Sequence, residues 1–185
     1  MLIGSYKPTA AQYLPFNWES SRVAAFLAMA IVKSNPRLEV EHVGSTAVPG
    51  CWGKGIIDLL VGYEPGGLQS ARDTMDSMGF EHQDGTEAFP ESRPMRVGSI
   101  EYFGRVFRIH AHVIEAGHEE ARDLLKFRDL LRSDADLLRA YEALKRAILA
   151  RGVTKSTEYS KAKGEFIRCV LAGNGKSAFT ERTIF

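Results

Sequence analysis

The sequence is poor in cysteine and has no strong charge of either sign, and both absences narrow what it can be. Cys51 and Cys169 stand far apart in 185 residues and in no metal-ligand spacing. They read as reduced thiols of a cytoplasmic protein rather than as a disulfide or a zinc site. A formal net charge of +1 supplies no global field to attract nucleic acid or a membrane, so an anionic ligand has to be met by a local cluster. No apolar helical run reaches the length of a membrane span, and the first residues lack the basic start and apolar core of a signal peptide. There is no Walker A sequence, no Rossmann glycine fingerprint, no nucleophile elbow and no Cys-x-x-Cys pair. Repeats, heptads and low-complexity segments are also missing.

What is present is an ordinary globular composition, 44% hydrophobic and 25% charged, enough for one cored domain and too short for two. The domain is expected over residues 1–172 with a tail over 173–185, whose Phe179 and Phe185 are candidates for docking on the body or on a second copy. After a short apolar lead-in from Leu2 to Tyr6, the three- and four-residue spacing of Val23, Phe26, Leu27, Ala30 and Ile31 predicts a helix within 15–33. Asn35-Pro36 ends it. Glu39 to Val43 is read as the first central strand, Ile56 to Val61 as a strand covered on both faces, and Gly66 to Met78 as a helix stopped by Gly79. Residues 80–98, broken by Gly85, Pro90 and Pro94, are expected to form a strand and a mobile loop near the site.

Ile100 to Phe103 and Arg105 to Ile114 predict a hairpin around Gly104. In its second arm Arg108, His110 and His112 share one face while Phe107, Ile109, Ala111 and Val113 share the other. Helices are expected over 119–131, 135–150 and 157–171, with Ser133 or Asp134 capping the second and Ser156 or Thr157 the third.

The chemistry centres on Glu41-His42-Val43-Gly44-Ser45-Thr46-Ala47-Val48-Pro49-Gly50 and the following strand. A strand enters a loop of small residues and returns as an apolar run carrying Asp58. Gly44-Ser45 permits a close turn whose amides can face an anion, and a carboxylate in an apolar run needs compensation. His110 and His112, alternate residues of one strand, can meet Asp58 in one cavity; as a metal set they would move preference from Mg²⁺ toward Mn²⁺, Zn²⁺ or another transition metal. The competing reading makes one imidazole a packing or hydrogen-bonding group and the other a phosphate donor or general base. Tyr141 with Lys145 and Tyr159 with Lys163 repeat a four-residue step that puts each pair on one helix face. Those faces would either be solvated or line the site, with lysines on phosphate and a tyrosine under a base. His42 is read as a supporting or core histidine, and Cys51 as a small apolar filler.

The run from Glu41 to Gly50, followed by Lys54-Gly55-Ile56-Ile57-Asp58, resembles the hallmark of the GrpB family, whose members have a nucleotidyltransferase-like fold. The resemblance extends through Arg108 to Val113, Phe127-Arg128-Asp129, Tyr141, Lys145, Tyr159 and Lys163, covering nearly the whole chain. It implies an α+β domain with a mixed, mostly antiparallel sheet, flanking helices and a C-terminal helical section. By position it implies that Gly44, Ser45 and Thr46, with Arg108, Arg128, Tyr159 and Lys163, hold nucleotide phosphates or the nucleotide. Asp58, with His110 and His112, would serve catalysis and hold a divalent metal, Mg²⁺ or Mn²⁺ first. The superfamily usually has a second carboxylate two residues on, where this chain has Leu60, and that departure puts standard two-metal transfer in doubt.

Three functions follow as expectations: nucleotidyl transfer from a nucleoside triphosphate to an unidentified acceptor; binding of a nucleotide or other phosphorylated small molecule without turnover; and a metal-dependent hydrolase built on Asp58 and the His-x-His strand. Nucleic acid and membrane are not favoured as partners; a second copy of the chain is a candidate.

Overall fold

The computed structural model describes residues 2–8, 13–84, 88–153 and 156–173. Five strands, β1 (Leu38–Val43), β2 (Ile56–Tyr63), β3 (Glu81–His82), β4 (Met95–Tyr102) and β5 (Arg105–Glu115), form one sheet in the order β1-β2-β5-β4-β3. Only β2 and β5 run parallel; the other pairs are antiparallel. Five helices, α1 (Trp18–Ser34), α2 (Leu68–Ser77), α3 (Glu119–Ser133), α4 (Ala135–Ala150) and α5 (Ser156–Leu171), complete the α+β domain.

Strand alternation decides which face does what. Ile57, Leu59 and Val61 of β2 and Phe107, Ile109, Ala111 and Val113 of β5 pack on Val23, Leu27 and Ile31 of α1 and on Ala71 and Met75 of α2. Burying such side chains contributes roughly 1.5–3 kcal/mol each. The opposite face carries Asp58 beside His110 across the parallel ladder, with Val43 on its other side. Helices α3 to α5 stand on that face, where a smaller core of Val43, Leu60, Ile114 and Ala121 lies. Leu60 is thus a core residue.

The helix boundaries follow their caps. The Asn17 side chain accepts from Glu19 N–H at the start of α1, and Asp134 rather than Ser133 caps α4, accepting from Asp136 and Leu137 N–H. The Ser156 and Thr157 side chains and the residues after 173, Phe179 and Phe185 among them, lie outside the described set.

Two readings of the strands need correction. β1 is an edge strand, because β2 pairs with β5 on its other side; its exposed Glu39 and Glu41 are the charges that protect an open edge. The segment 95–98 is strand, not loop: β4 begins at Met95 and its first six residues are buried. It includes a charged residue, Arg96, whose side chain is 1% exposed and is held by Asp76 at 2.6 Å and by Glu91 at 2.9 and 3.0 Å.

Candidate functional site

Between β1 and β2 the chain makes a single 3-10 turn over Ser45–Ala47, closed by Ala47 N–H on Gly44 O and Val48 N–H on Ser45 O, each at 3.2 Å. Gly44 enters it at φ +72°, and a Cβ there would overlap the Asp58 carboxylate, whose Cγ lies 3.0 Å away. The loop returns through Gly53, where a Cβ would overlap the Ser45 side chain. Both glycines are therefore needed for close approach. Thr46 braces the turn from below: its hydroxyl donates to Ile56 O at 3.0 Å, and His42 Nε2 lies 3.0 Å from the same oxygen. Because the hydroxyl proton is committed, His42 is the donor in that pair. Burial lowers the His42 pKa to about 4, with Asp58 opposing and Arg132 and Arg128 assisting, so it is a neutral supporting group.

Gly44, Ser45, Gly53, Lys54, Ile56, Asp58 and His110 form one wall of a pocket of about 150 Å³. Helices α4 and α5 form the other wall with Tyr141, Lys145, Tyr159, Ser160 and Lys163. The four-residue Tyr-to-Lys steps face inward rather than into solvent. Leu137, Tyr141, Lys145 and Ile148 are the buried stripe of α4. Lys145 is 1% exposed; its ammonium lies 3.1 Å from Cys51 Sγ, donates to Trp52 O and sits 4.6 Å from the Tyr141 ring centroid. Lys54 and Lys163 stand 4.3 and 4.6 Å from the Tyr159 ring centroid. Burial, then Lys54, brings the Lys163 pKa down to about 8 against the opposing pull of Asp58, with Lys145 adding to the lowering.

The pocket is consequently cationic around one carboxylate. Burial would raise the Asp58 pKa, but the facing imidazole of His112, with His110 and Lys163, outweighs it and holds Asp58 below its usual value. His110 Nδ1 and His112 Nε2 lie 3.7 and 3.8 Å from the same Asp58 oxygen. Their outer nitrogens are engaged elsewhere. His110 Nε2 is 2.9 Å from the Tyr6 hydroxyl, and His112 Nδ1 is 3.3 Å from Arg93. Arginine can only donate, so His112 accepts at Nδ1 and carries its proton on Nε2, toward Asp58.

That arrangement bears on the expected three-ligand metal set. His112 turns an N–H rather than a lone pair toward Asp58, and among the described residues no three His, Cys, Asp or Glu side chains are placed to hold a metal ion. The donor chemistry does fit a hard cation held by Asp58 together with phosphate oxygens, the usual way Mg²⁺ is bound. Chelation of a transition metal by Asp58, His110 and His112 together would require His112 to turn its N–H away from Asp58 and give up Arg93.

Four expected residues are absent from the lining: His112, which reaches Asp58 from beside it, and Arg108, Arg128 and Thr46. Arg108 donates to Lys54 O at 2.7 Å and so pins the loop. Arg128 joins Glu41 at 2.7 Å, His42 O at 3.0 Å and Asp129 at 2.8 Å, tying α3 to β1. Thr46 is a brace, as described. Tyr159 and Tyr141 line the pocket but are only 2% and 5% exposed, so neither has a ring face free for a base to stack on. Conversely, Lys54 and Ser160 join the lining and Tyr6 joins His110 without having been assigned from the sequence, whereas Lys145, expected from its four-residue step, does line the pocket. Lys54, four residues before Asp58 in a glycine-flanked loop, was the recoverable signal.

The comparisons agree on family and fold. The model of the family described as GrpB protein matches residues 11–172. A UPF0157 protein of Streptomyces coelicolor is 32% identical over 138 residues, 75% of this chain and 69% of the relative. A second, of Pseudomonas aeruginosa, is 33% identical over 154 residues, 83% of this chain, which spans only 62% of that relative's length. Among solved structures, the conserved protein GrpB from Enterococcus faecalis superposes with TM-score 0.67 at 21% identity, covering 91% of this chain and 99% of its own. Cid1 in complex with the UTP analogue UMPNPP superposes with TM-score 0.55 at 15% identity over 80% of this chain and 48% of Cid1. The fold is therefore nucleotidyltransferase-like. No helix among the described residues is long and apolar enough to cross a membrane.

Proposed function

The chain belongs to the GrpB family, and from that premise we propose that it binds a nucleoside triphosphate by its phosphates and transfers the nucleotidyl group to a small acceptor. One observation carries the reading: Lys54, Lys145 and Lys163 converge with the Ser45 hydroxyl on a pocket whose lining includes a single carboxylate, Asp58. A cluster of cations around one anion suits a polyanion better than a neutral or cationic substrate.

In the transfer, an acceptor oxygen attacks the α-phosphorus, the bond from that phosphorus to the bridging oxygen breaks, and pyrophosphate leaves while the acceptor loses its proton. Negative charge grows on the leaving pyrophosphate, and the lysines are placed to offset it without reorganising. Asp58, with phosphate oxygens, would hold a divalent cation, Mg²⁺ or Mn²⁺, which supplies charge neutralisation at the phosphates when bound. His110 and His112 keep Asp58 ionised and oriented. Leu60 favours a second reading, nucleotide binding without transfer, because a buried leucine stands where another carboxylate would be needed. The hydrolase reading would need Asp58, His110 and His112 to gather on one metal, for which His112 would have to release Arg93.

The test is a thermal-shift panel of metal-stripped protein against ATP, GTP, CTP and UTP, each with Mg²⁺, Mn²⁺ or no metal, since a ligand bound only by the native state raises the melting temperature. The proposal expects stabilisation by at least one triphosphate that increases with metal and loses its metal dependence in Asp58→Asn. No stabilisation by any triphosphate refutes it. Pyrophosphate release from the stabilising triphosphate in the presence of a small-metabolite extract separates transfer from mere binding.

A further inference from the structure

If polyphosphate occupies the lysine pocket, the base must lie elsewhere, because both tyrosines lining that pocket are closed. We propose that Trp52 is the platform for the nucleobase, so that the ligand is recognised as an aromatic-bearing polyphosphate and not as a polyphosphate alone. This inference rests on the phosphate reading above.

Trp52 is 42% exposed although its loop is held by several hydrogen bonds. Its neighbours Gly53 and Lys54 are part of the pocket wall, so the loop that carries the indole borders that pocket. The backbone is pinned on both sides: Trp52 N–H donates to Glu142 Oε1 at 2.9 Å, and Trp52 O accepts from the pocket lysine Lys145. The ring is stacked on Tyr13 with centroids 5.5 Å apart and planes 28° from parallel. Tyr13 is fixed in turn. Its hydroxyl donates to Glu142 O at 3.4 Å, and the next residue, Leu14, exchanges two backbone hydrogen bonds with Gly53 at 2.8 and 3.0 Å.

These contacts describe a pinned aromatic surface with one face against Tyr13 and 42% of the residue exposed. An exposed indole costs hydrophobic free energy unless something covers it, and a stack that is already ordered loses little entropy when a flat ligand joins it. Every base has a π-face, so stacking on Trp52 would add affinity without itself selecting among bases. Lys145 links the two halves of the site, because its ammonium lies in the phosphate pocket, touches the Trp52 carbonyl and stands 5.8 Å from the Tyr13 ring centroid.

The experiment uses the Trp18→Phe chain, which leaves Trp52 as the sole tryptophan of the two in the sequence, and titrates it with ATP, UTP and inorganic tripolyphosphate, each with Mg²⁺. Tryptophan emission is read by fluorescence and affinity by calorimetry. Either nucleotide should quench Trp52 saturably and bind more tightly than tripolyphosphate. In Trp52→Ala, nucleotide affinity should fall about tenfold while tripolyphosphate affinity stays the same, and Trp52→Phe should restore most of the loss. Equal weakening of nucleotide and tripolyphosphate in Trp52→Ala would make Trp52 a structural residue and overturn the inference. Nucleotides that bind no more tightly than tripolyphosphate, or without quenching, would also overturn it. A tripolyphosphate that does not bind at all would instead remove the phosphate reading beneath it.

Discussion

Gly44 and Asp58 occupy complementary space: the missing side chain of the first is what admits the carboxylate of the second, whose Cγ would lie 3.0 Å from a Cβ at Gly44. The turn and the acid are therefore one device. The left-handed φ of +72° at Gly44 adds a backbone reason for glycine.

Gly44→Ala should lower stability by roughly 1–2 kcal/mol from backbone conformation alone, and by more if Asp58 cannot move aside. It should also abolish metal-dependent triphosphate stabilisation. Thermal melts with and without ligand check both; a variant that melts like the parent and keeps the ligand shift would mean that the turn does not position Asp58.

Arg128→Ala separates bracing from binding. The guanidinium is tied to Glu41, Asp129 and His42 O and is not among the residues lining the pocket. Its loss should cost on the order of 1–3 kcal/mol of stability through the orphaned His42 carbonyl and lost packing. Calorimetric affinity for tripolyphosphate should stay within about twofold, a change of a few tenths of a kcal/mol. A large loss of affinity in a well-folded variant would put Arg128 back in the site.

Binding should depend on pH through Lys163, whose pKa burial, with Lys54, lowers to about 8. The free pocket carries that positive charge below this value and loses it above. Tripolyphosphate affinity measured in metal-free buffer should thus fall as pH rises from 7 to 9, with the lysine taking up a proton on binding. Lys163→Arg should flatten the fall, since arginine stays charged throughout. An affinity that is flat or rises over this range would contradict the assignment.

Much of this was legible in the sequence because it rests on periodicity. The alternation in Arg105 to Ile114 gave both the buried face and the His110–His112 face, and the three- and four-residue spacing in α1 gave its core side. Gly44-Ser45 and Asp58 could be placed together from strand, loop and strand alone. Other features were hidden by tertiary pairing. Arg96 is a charged residue inside a buried strand, which its pairing with Asp76, twenty residues away, and with Glu91 makes possible and which no local pattern in 80–98 reports. The β2–β5 parallel pair left β1 at the edge, which no local pattern reports. His110 and His112 share a face as expected, but only the position of Arg93 reveals that the His112 Nδ1 lone pair is already used, and only that of Tyr6 that His110 Nε2 has a partner. The inward Tyr-to-Lys steps were visible as spacing, whereas the burial of both tyrosine rings was not.

The most direct measurement is a calorimetric titration of tripolyphosphate, without metal and near neutral pH, into the parent protein and into Lys54→Met, Lys145→Met and Lys163→Met, with circular dichroism to establish that each variant is folded. One saturable site in the parent, weakened about tenfold or more by each folded variant as expected for losing a charge-assisted contact, would support a polyphosphate pocket built from these lysines. Absence of binding in the parent, or affinity unchanged when these lysines are removed, would contradict it.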